Sequence, residues 1–162
     1  MAKGGRYVAH TSVLAGLPTT NRRNGDLRQP LALVYVHLIW GTKNARPVLE
    51  GDAQERIYLA VETECRHRKA VKIALGGVAD HMHLLVRLPA SLSVASLMKH
   101  IVDATADVTG DAGDPIAWNP GYAAYSVCPD ELPMVTLYIE QQEQHHASLT
   151  VFRHFELPSD DM

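Results

Sequence analysis

Two histidines separated by a single residue, His81 and His83, are the first residues in this sequence whose type and spacing suggest chemistry. They lie in the run HMHLLVRL, whose apolar and β-branched content is typical of a strand. Residues two apart in a strand project to the same face, so both imidazoles would point one way while Met82 and Leu84 point the other. Two neutral imidazoles so placed can hold one divalent metal ion and leave positions open for substrate oxygens. On spacing alone, two histidines on a polar sheet face explain the pattern equally well.

A tyrosine and a glutamine near the C-terminus form a second candidate group. Tyr138 and Gln142 are four residues apart in a segment of helical character, which puts both on one face of the expected helix. A phenol can act as a covalent nucleophile, and an amide oxygen can complete a metal site without adding charge. The metal would then polarise a phosphate that the tyrosine attacks. Such a pair by itself is usually an ordinary polar helix face, so its meaning depends on the histidines.

These side chains need a fold that brings the histidine strand and the last helix together. Apolar, β-favouring runs predict strands at 31–42, 71–80, 81–88 and 122–127. Amphipathic spacing predicts helices at 52–69 and 93–108, and a last helix from Asp130 or Pro133 to about His146. The resulting order β, α, β, β, α, β, α predicts a two-layer α+β sandwich.

Composition excludes several classes of protein. The chain has 162 residues, 46% hydrophobic and 20% charged, which suits one domain with a buried core and excludes general disorder. Its net charge of −3 argues against a strongly basic nucleic-acid coat, although a local basic patch remains open. Two cysteines without CxxC spacing exclude a disulfide scaffold or a cysteine-only zinc site. With no signal-like or membrane-length apolar stretch, we expect a soluble cytoplasmic protein without a membrane partner.

Four motifs, in this order, resemble the single-tyrosine HUH transposases that move minimal bacterial insertion sequences of the IS200 type. They are an opening strand that ends in a Thr-Lys turn at 35–44, the histidine strand at 80–86, a closing strand at 121–127, and a helix with Tyr138, Gln142, His145 and His146. The resemblance covers about residues 31–156, which we take as the transposase domain. Residues 1–30 are then expected to be a flexible extension, and residues 157–162 a tail.

The resemblance implies an enzyme that cleaves and rejoins single-stranded DNA on a ferredoxin-like fold with an antiparallel sheet and a C-terminal helix that carries the tyrosine. It implies that His81, His83 and Gln142 bind Mg²⁺ or Mn²⁺. It also implies that Tyr138 attacks the scissile phosphate, leaving a 5′-phosphotyrosine link and a free 3′-hydroxyl. The implied DNA partner is a hairpin at the end of an insertion element, in the bacterial nucleoid. The implied protein partner is a second copy of the chain. In at least one conformation, the tyrosine helix of that copy works with this chain's histidines.

Basic residues that could contact DNA phosphates are few. In the family, the helix matching 93–108 usually carries several basic residues, whereas here it contains Asp103 and Asp107. Phosphate contacts normally supply most single-strand affinity, so this substitution weakens the expected DNA track. The remaining candidates, each of which is also explained as a solvated surface charge, are Lys43, Arg46, Arg87 and Lys99.

Three other functions remain open at this point. A domesticated relative, like the REP-associated tyrosine transposases, would cut host hairpins, but these usually carry Asn-Pro after the tyrosine, and Tyr138 is followed by Ile-Glu. A non-catalytic nucleic-acid-binding module would keep the fold alone. An unrelated metallohydrolase would use the HxH pair with water as nucleophile.

Three further histidines lie in the predicted first strand and the predicted last helix. His37 shares its strand face with Tyr35 and Ile39, so it either lines the site or, as is more usual, is a core histidine. His145 and His146 follow Gln142 by three and four positions, so one of them could reach the metal face. We expect both at the surface near the helix end, where a histidine suits the helix dipole.

Overall fold

The computed structural model describes residues 32–110, 113, 115–152 and 155–157. The expectations for the extension at 1–30 and for the tail beyond residue 157 therefore lie outside the described residues. Within these ranges, no helix combines the length and the apolar character that crossing a bilayer requires.

Four strands form a single sheet. They are β1 (Val34–Gly41), β2 (Val71–Val78), β3 (His81–Leu88) and β4 (Ala123–Val127), in the order β2-β3-β1-β4. Every neighbouring pair is antiparallel, and the β1–β3 register places Ile39 opposite His83 and Gly41 opposite His81. The predicted α+β class and the antiparallel, ferredoxin-like sheet are thus confirmed.

Two helices cover one face of the sheet and build the core. They are α1 (Gly51–His67) and α2 (Val94–Thr105), the latter capped by the Ser93 hydroxyl, which accepts a hydrogen bond from the Ser96 amide at 3.2 Å. Apolar residues at helical spacing on these helices meet the alternate residues of β1 and β3. The central members of this core are Leu38, Trp40, Met82, Leu84, Ile57, Val61, Leu97 and Ile101. The core occupies one face of β3, so the histidines of that strand lie on the other.

The last helical segment packs on that second face. It consists of a 3₁₀ turn (Pro129–Glu131), α3 (Leu132–Glu140) and α4 (Gln142–Ala147), with α3 and α4 lying over β2. Gly76 of β2 permits this approach, because a Cβ at that position would overlap the carbonyl oxygen of Ile139 in α3. The absence of a side chain at Gly76 therefore sets how closely α3 approaches the sheet.

The expectation of one continuous helix to His146 is wrong, because the helix is interrupted at Gln141. The Gln141 amide donates to the carbonyls of both Leu137 (3.1 Å) and Tyr138 (3.3 Å), which tightens the turn. The Gln142 side-chain amide also donates to the Tyr138 carbonyl, at 3.4 Å. The Tyr138 carbonyl thus accepts from both Gln141 and Gln142, and α3 ends at Glu140. Tyr138 and Gln142 therefore lie in successive helices.

Candidate active site

The two histidines of β3 lie side by side on the sheet face opposite the core. Their ring centroids are 5.0 Å apart, His83 is fully buried and His81 is 7% exposed. Strand alternation produces this arrangement, because the intervening Met82 enters the core. The structure therefore places both imidazoles as the HxH spacing predicts.

Each imidazole is oriented through its Nδ1 atom by a second side chain. Nδ1 of His81 lies 2.7 Å from a carboxylate oxygen of Asp80, and Nδ1 of His83 lies 2.9 Å from Nε2 of His37. Histidines that ligate metals are usually held in this way through the nitrogen that does not bind the metal. Both Nε2 atoms are left as the potential ligands. His37 is thus a buried histidine that also belongs to the site.

A carboxylate that our sequence reasoning missed completes the group. Glu156 places Oε2 3.1 Å from Nε2 of His81 and 3.6 Å from Nε2 of His83. One potential ligand atom from each of these three residues lies within 4.8 Å of the other two. A signal for this contact existed in the sequence, because both phenylalanines of the chain, Phe152 and Phe155, lie in the segment that carries Glu156. An apolar pair of this kind indicates a docked segment and not a polar tail.

The candidate nucleophile lies against the same carboxylate. Tyr138 is 2% exposed, its hydroxyl donates a hydrogen bond to Oε1 of Glu156, and its ring centroid is 6.2 Å from that of His83. The same hydroxyl accepts a hydrogen bond from the Phe152 amide at 3.3 Å. Burial and the hydrogen bond to Glu156 raise the pKa of Tyr138 to about 12. The phenol is therefore protonated at neutral pH in this arrangement.

Gln142 is buried next to the tyrosine. It is 2% exposed, and its side chain approaches the Tyr138 hydroxyl as well as the Tyr138 carbonyl. Its Oε1 atom is buried without a hydrogen-bond partner among the described residues. A buried amide oxygen without a donor costs free energy unless a cation or water satisfies it, so Gln142 retains an acceptor for a ligand.

His145 and His146 are half-buried near the end of α4, and both also contact the site. The rings of His145 and Tyr138 stack with centroids 4.8 Å apart, and His146 lies 4.9 Å from the ring of His81. Nε2 of His146 is also 3.7 Å from Oε2 of Glu156.

Charge in the site is concentrated on Glu156, Asp80 and His81. Burial opposes ionisation of Glu156, but contact with His81 and His83 holds its pKa far below its usual range. Burial likewise disfavours the charged form of His81, yet its contacts with Asp80 and Glu156 raise its pKa to about 9, while the hydrogen bond to His81 lowers the pKa of Asp80. Burial lowers the pKa of His83, and burial together with His83 lowers that of His37 to about 3. Two carboxylates therefore flank a protonated His81, which must give up its proton to bind a metal, beside the neutral imidazoles of His37 and His83.

The donor set fits a divalent cation. Two ligand atoms about 2.1 Å from one ion are separated by about 3.0 Å at a right angle and about 3.4 Å at a tetrahedral angle. The 3.1 and 3.6 Å separations between Glu156 and the two imidazoles are close to these values. Both Nε2 atoms are buried without a hydrogen bond among the described residues, so a metal would satisfy them. Imidazole and carboxylate donors suit Mn²⁺ and other divalent ions.

The four candidate DNA-contacting residues do not lie in one place. Lys43 and Arg46 are exposed just after β1, at the end of the strand where Gly41 pairs with His81. Arg87 is half-buried and alternates with core residues, so it lies on the histidine face. Lys99 is exposed on α2, which covers the opposite face of the sheet, and its ammonium is 2.6 Å from Asp103. The structure thus separates Arg87 from Lys99.

Comparison with known proteins identifies relatives by sequence and by fold. The family model described as "Transposase IS200 like" matches residues 31–142, which is more than half of the chain. A search of the curated proteins gives no match.

Solved structures share the fold at low sequence identity. One is a protein from Deinococcus radiodurans R1 described as a candidate transposase, with a TM-score of 0.56, 21% identity, and coverage of 74% of this chain and 98% of that one. Another is a REP-associated tyrosine transposase bound to a REP hairpin, with a TM-score of 0.58, 17% identity, and coverage of 76% and 74%. On the strength of the family match, this chain belongs to the IS200-like transposase family.

Proposed function

We propose that this transposase is a metal-dependent enzyme for single-stranded DNA in which Tyr138 is the nucleophile. The observation that carries the proposal is that the Tyr138 hydroxyl and the imidazoles of His81 and His83 meet at one carboxylate, Glu156. A phenol beside a cluster that fits a divalent cation is an arrangement suited to attack on a phosphodiester.

The metal would be held by His81 and His83, with the buried amide oxygen of Gln142 as a further acceptor. Mg²⁺ or Mn²⁺ bound there would polarise the scissile phosphate. Asp80 and His37 would hold the two imidazoles in the tautomer that leaves Nε2 free.

In the proposed reaction, Tyr138 Oη forms a bond to phosphorus and the bond from phosphorus to the 3′-oxygen breaks. The phenol loses its proton and the departing oxygen gains one, which leaves a 5′-phosphotyrosine and a 3′-hydroxyl. One phosphodiester replaces another, so no nucleotide cofactor is consumed when a second 3′-hydroxyl reverses the step. Because the Tyr138 hydroxyl is protonated and donates to Glu156, it must lose its proton in order to attack.

The proposed substrate is a DNA hairpin at the end of an insertion element, in the bacterial nucleoid. The REP-bound structural neighbour supports hairpin binding. A homodimer is proposed with it, on the family resemblance. The dimer is not needed to bring Tyr138 to the histidines, because α3 lies on the sheet of its own chain.

Covalent trapping tests the proposed nucleophile. We expect a labelled single-stranded hairpin, incubated with the protein and Mn²⁺, to give a protein–DNA band on a denaturing gel. Tyr138→Phe should abolish this band, since only the attacking oxygen is removed. Tyr122→Phe removes the hydroxyl of a tyrosine that is 39% exposed and outside the site, and should retain the band.

The other possible functions give different results in the same assay. Cleavage that persists in Tyr138→Phe would replace the proposal with a hydrolase that uses water. Binding without cleavage by the wild-type chain would leave a non-catalytic binding module. A covalent adduct that forms with REP-type hairpins, without any joined DNA strands as product, would favour the domesticated hairpin nuclease.

A further inference from the structure

The carboxylate of Glu156 has two faces with different neighbours. Oε1 accepts the hydrogen bond of the Tyr138 hydroxyl, while Oε2 is directed toward the Nε2 atoms of His81, His83 and His146 at 3.1, 3.6 and 3.7 Å. The side chain is 13% exposed, so this arrangement is sheltered from solvent. One group therefore contacts both the proposed nucleophile and the proposed metal ligands.

We propose that Glu156 is a protein ligand of the metal, and that metal binding thereby fixes the C-terminal segment, whose described residues are 149–152 and 155–157, onto the sheet. The proposal rests on the proposed function for the presence of a metal at His81 and His83. It adds a ligand from outside the histidine strand and the tyrosine helix, and it gives the segment a role.

The donor chemistry supports this assignment over a purely structural carboxylate. The Nε2 atoms of His81 and His83 have no hydrogen-bond partner among the described residues, although the oxygen of Glu156 is close to both. A buried, unsatisfied nitrogen is costly, and a cation between these atoms would satisfy all three donors at once. Gln142 contributes a neutral oxygen, whereas Glu156 supplies the negative charge that a divalent ion needs in a buried site.

The surroundings of Glu156 explain how the segment is placed for this role. Phe155 contacts the rings of His37 and Tyr138, with centroids 5.9 and 5.4 Å apart, and Phe152 lies 5.4 Å from Tyr138. The Phe152 amide also donates to the Tyr138 hydroxyl. These contacts bring the carboxylate to the histidines, and the described residues of the segment include no helix or strand longer than a turn. A metal bond to Glu156 would add a further attachment of the segment to the sheet.

Metal affinity is measured on the full-length chain after removal of bound ions with EDTA. Mn²⁺ titration followed by electron paramagnetic resonance reports free ion directly, without DNA. We expect Glu156→Gln to weaken Mn²⁺ binding by at least about tenfold, because loss of a group that only supports a metal ligand already costs about 10–100-fold. Glu140→Gln neutralises an exposed carboxylate at the end of α3 and should bind as the wild type does.

Two further readouts separate ligation from a general effect of charge. In pulsed measurements, the Mn²⁺ complex of Glu156→Gln should keep the nitrogen couplings of two histidines and gain a bound water. In hydrogen exchange, Mn²⁺ should slow the amides of residues 149–152 and 155–157 in the wild type and not in Glu156→Gln. Equal Mn²⁺ affinity in Glu156→Gln and Glu140→Gln, or equal protection of the segment in wild type and Glu156→Gln, would overturn the inference.

The outcome is distinguishable from that of the proposed function. A wild-type chain that binds Mn²⁺ through Glu156 and forms no covalent DNA adduct would overturn the proposed function and leave this inference standing. An adduct that depends on Tyr138, together with unchanged Mn²⁺ affinity in Glu156→Gln, would overturn this inference alone.

Discussion

At the scale of single residues, a fully buried histidine contacts one of the proposed metal ligands. His37 is fully buried, and its Nε2 atom is the partner of His83 Nδ1. Burial and the neighbouring imidazole keep His37 neutral, with its pKa lowered to about 3. A charged His37 would repel a metal ion held by His83, so its neutral form is the one compatible with the proposed site.

The lowered pKa of His37 predicts a loss of stability in acid. Between pH 6.5 and about 3 the unfolded chain binds a proton at residue 37 that the folded chain resists, so the free energy of unfolding should fall as the pH falls through this range. Above pH 6.5 this residue contributes no slope. We expect metal-free His37→Gln to show a shallower decline in urea unfolding between pH 7 and 4 than the wild type. His67→Gln, at an exposed position, is the control and should follow the wild type. Equal slopes in all three proteins would contradict the prediction.

At the scale of elements, the position of Tyr138 depends on how closely α3 approaches β2. Gly76 pairs with His83 in the sheet and faces the backbone of Ile139 in α3. The same glycine therefore lies beside a proposed metal ligand and below the helix that carries the proposed nucleophile. Movement of this helix would change the distance between the two.

Gly76→Ala should displace α3, because the new methyl group would meet backbone and not a flexible side chain. We expect a loss of about 1–3 kcal/mol in the free energy of unfolding, typical of overpacking, together with a marked fall in covalent adduct formation. Gly121→Ala is the matched control, since a Cβ there meets nothing within 4 Å. Unfolding curves and the adduct assay measure the two effects. A Gly76→Ala protein as stable and active as Gly121→Ala would show that α3 does not need this contact.

Much of this arrangement could be predicted from the sequence, because it follows from patterns among residues that are close together in the chain. The strand alternation around Met82 places the two histidines together, and the apolar periodicity of Leu97 and Ile101 identifies α2. The interruption at Gln141 was not predictable in this way, because no proline or glycine marks it and it arises from shared use of the Tyr138 carbonyl. Glu156 was missed for a related reason. Its partners are distant in sequence, and no periodic pattern reports a contact of that kind.

At the scale of the whole molecule, the two faces of the sheet have different chemical roles. One carries the apolar core under α1 and α2, and the other carries the histidines, Arg87 and the tyrosine helix. The net charge of −3 is a property of the whole chain and does not by itself give the charge of either face.

Single-strand binding should depend on Arg87 and not on Lys99. Each phosphate contact on a single strand contributes about −0.7 to the slope of log affinity against log salt concentration. We expect Arg87→Ala to weaken hairpin binding and to make this slope shallower by about 0.7. Lys99→Ala should change neither, because Lys99 lies on α2, which covers the opposite face of the sheet, and pairs with Asp103. Fluorescence anisotropy across a salt series measures both quantities. Equal losses in the two variants would show that DNA contacts are not confined to the histidine face.

The C-terminal segment also determines where this protein can be truncated without changing the composition of the site. The stretch shared with the family ends at residue 142, whereas the side chains that enclose the phenol, Phe152, Phe155 and Glu156, all follow it. An expression fragment designed on the shared stretch would contain His81, His83, Tyr138 and Gln142 and lack the carboxylate that Tyr138 contacts. Metal affinities and cleavage rates measured on such a fragment would describe a site without Glu156. Sequence alignments that stop at residue 142 would not show whether relatives have a carboxylate at this position.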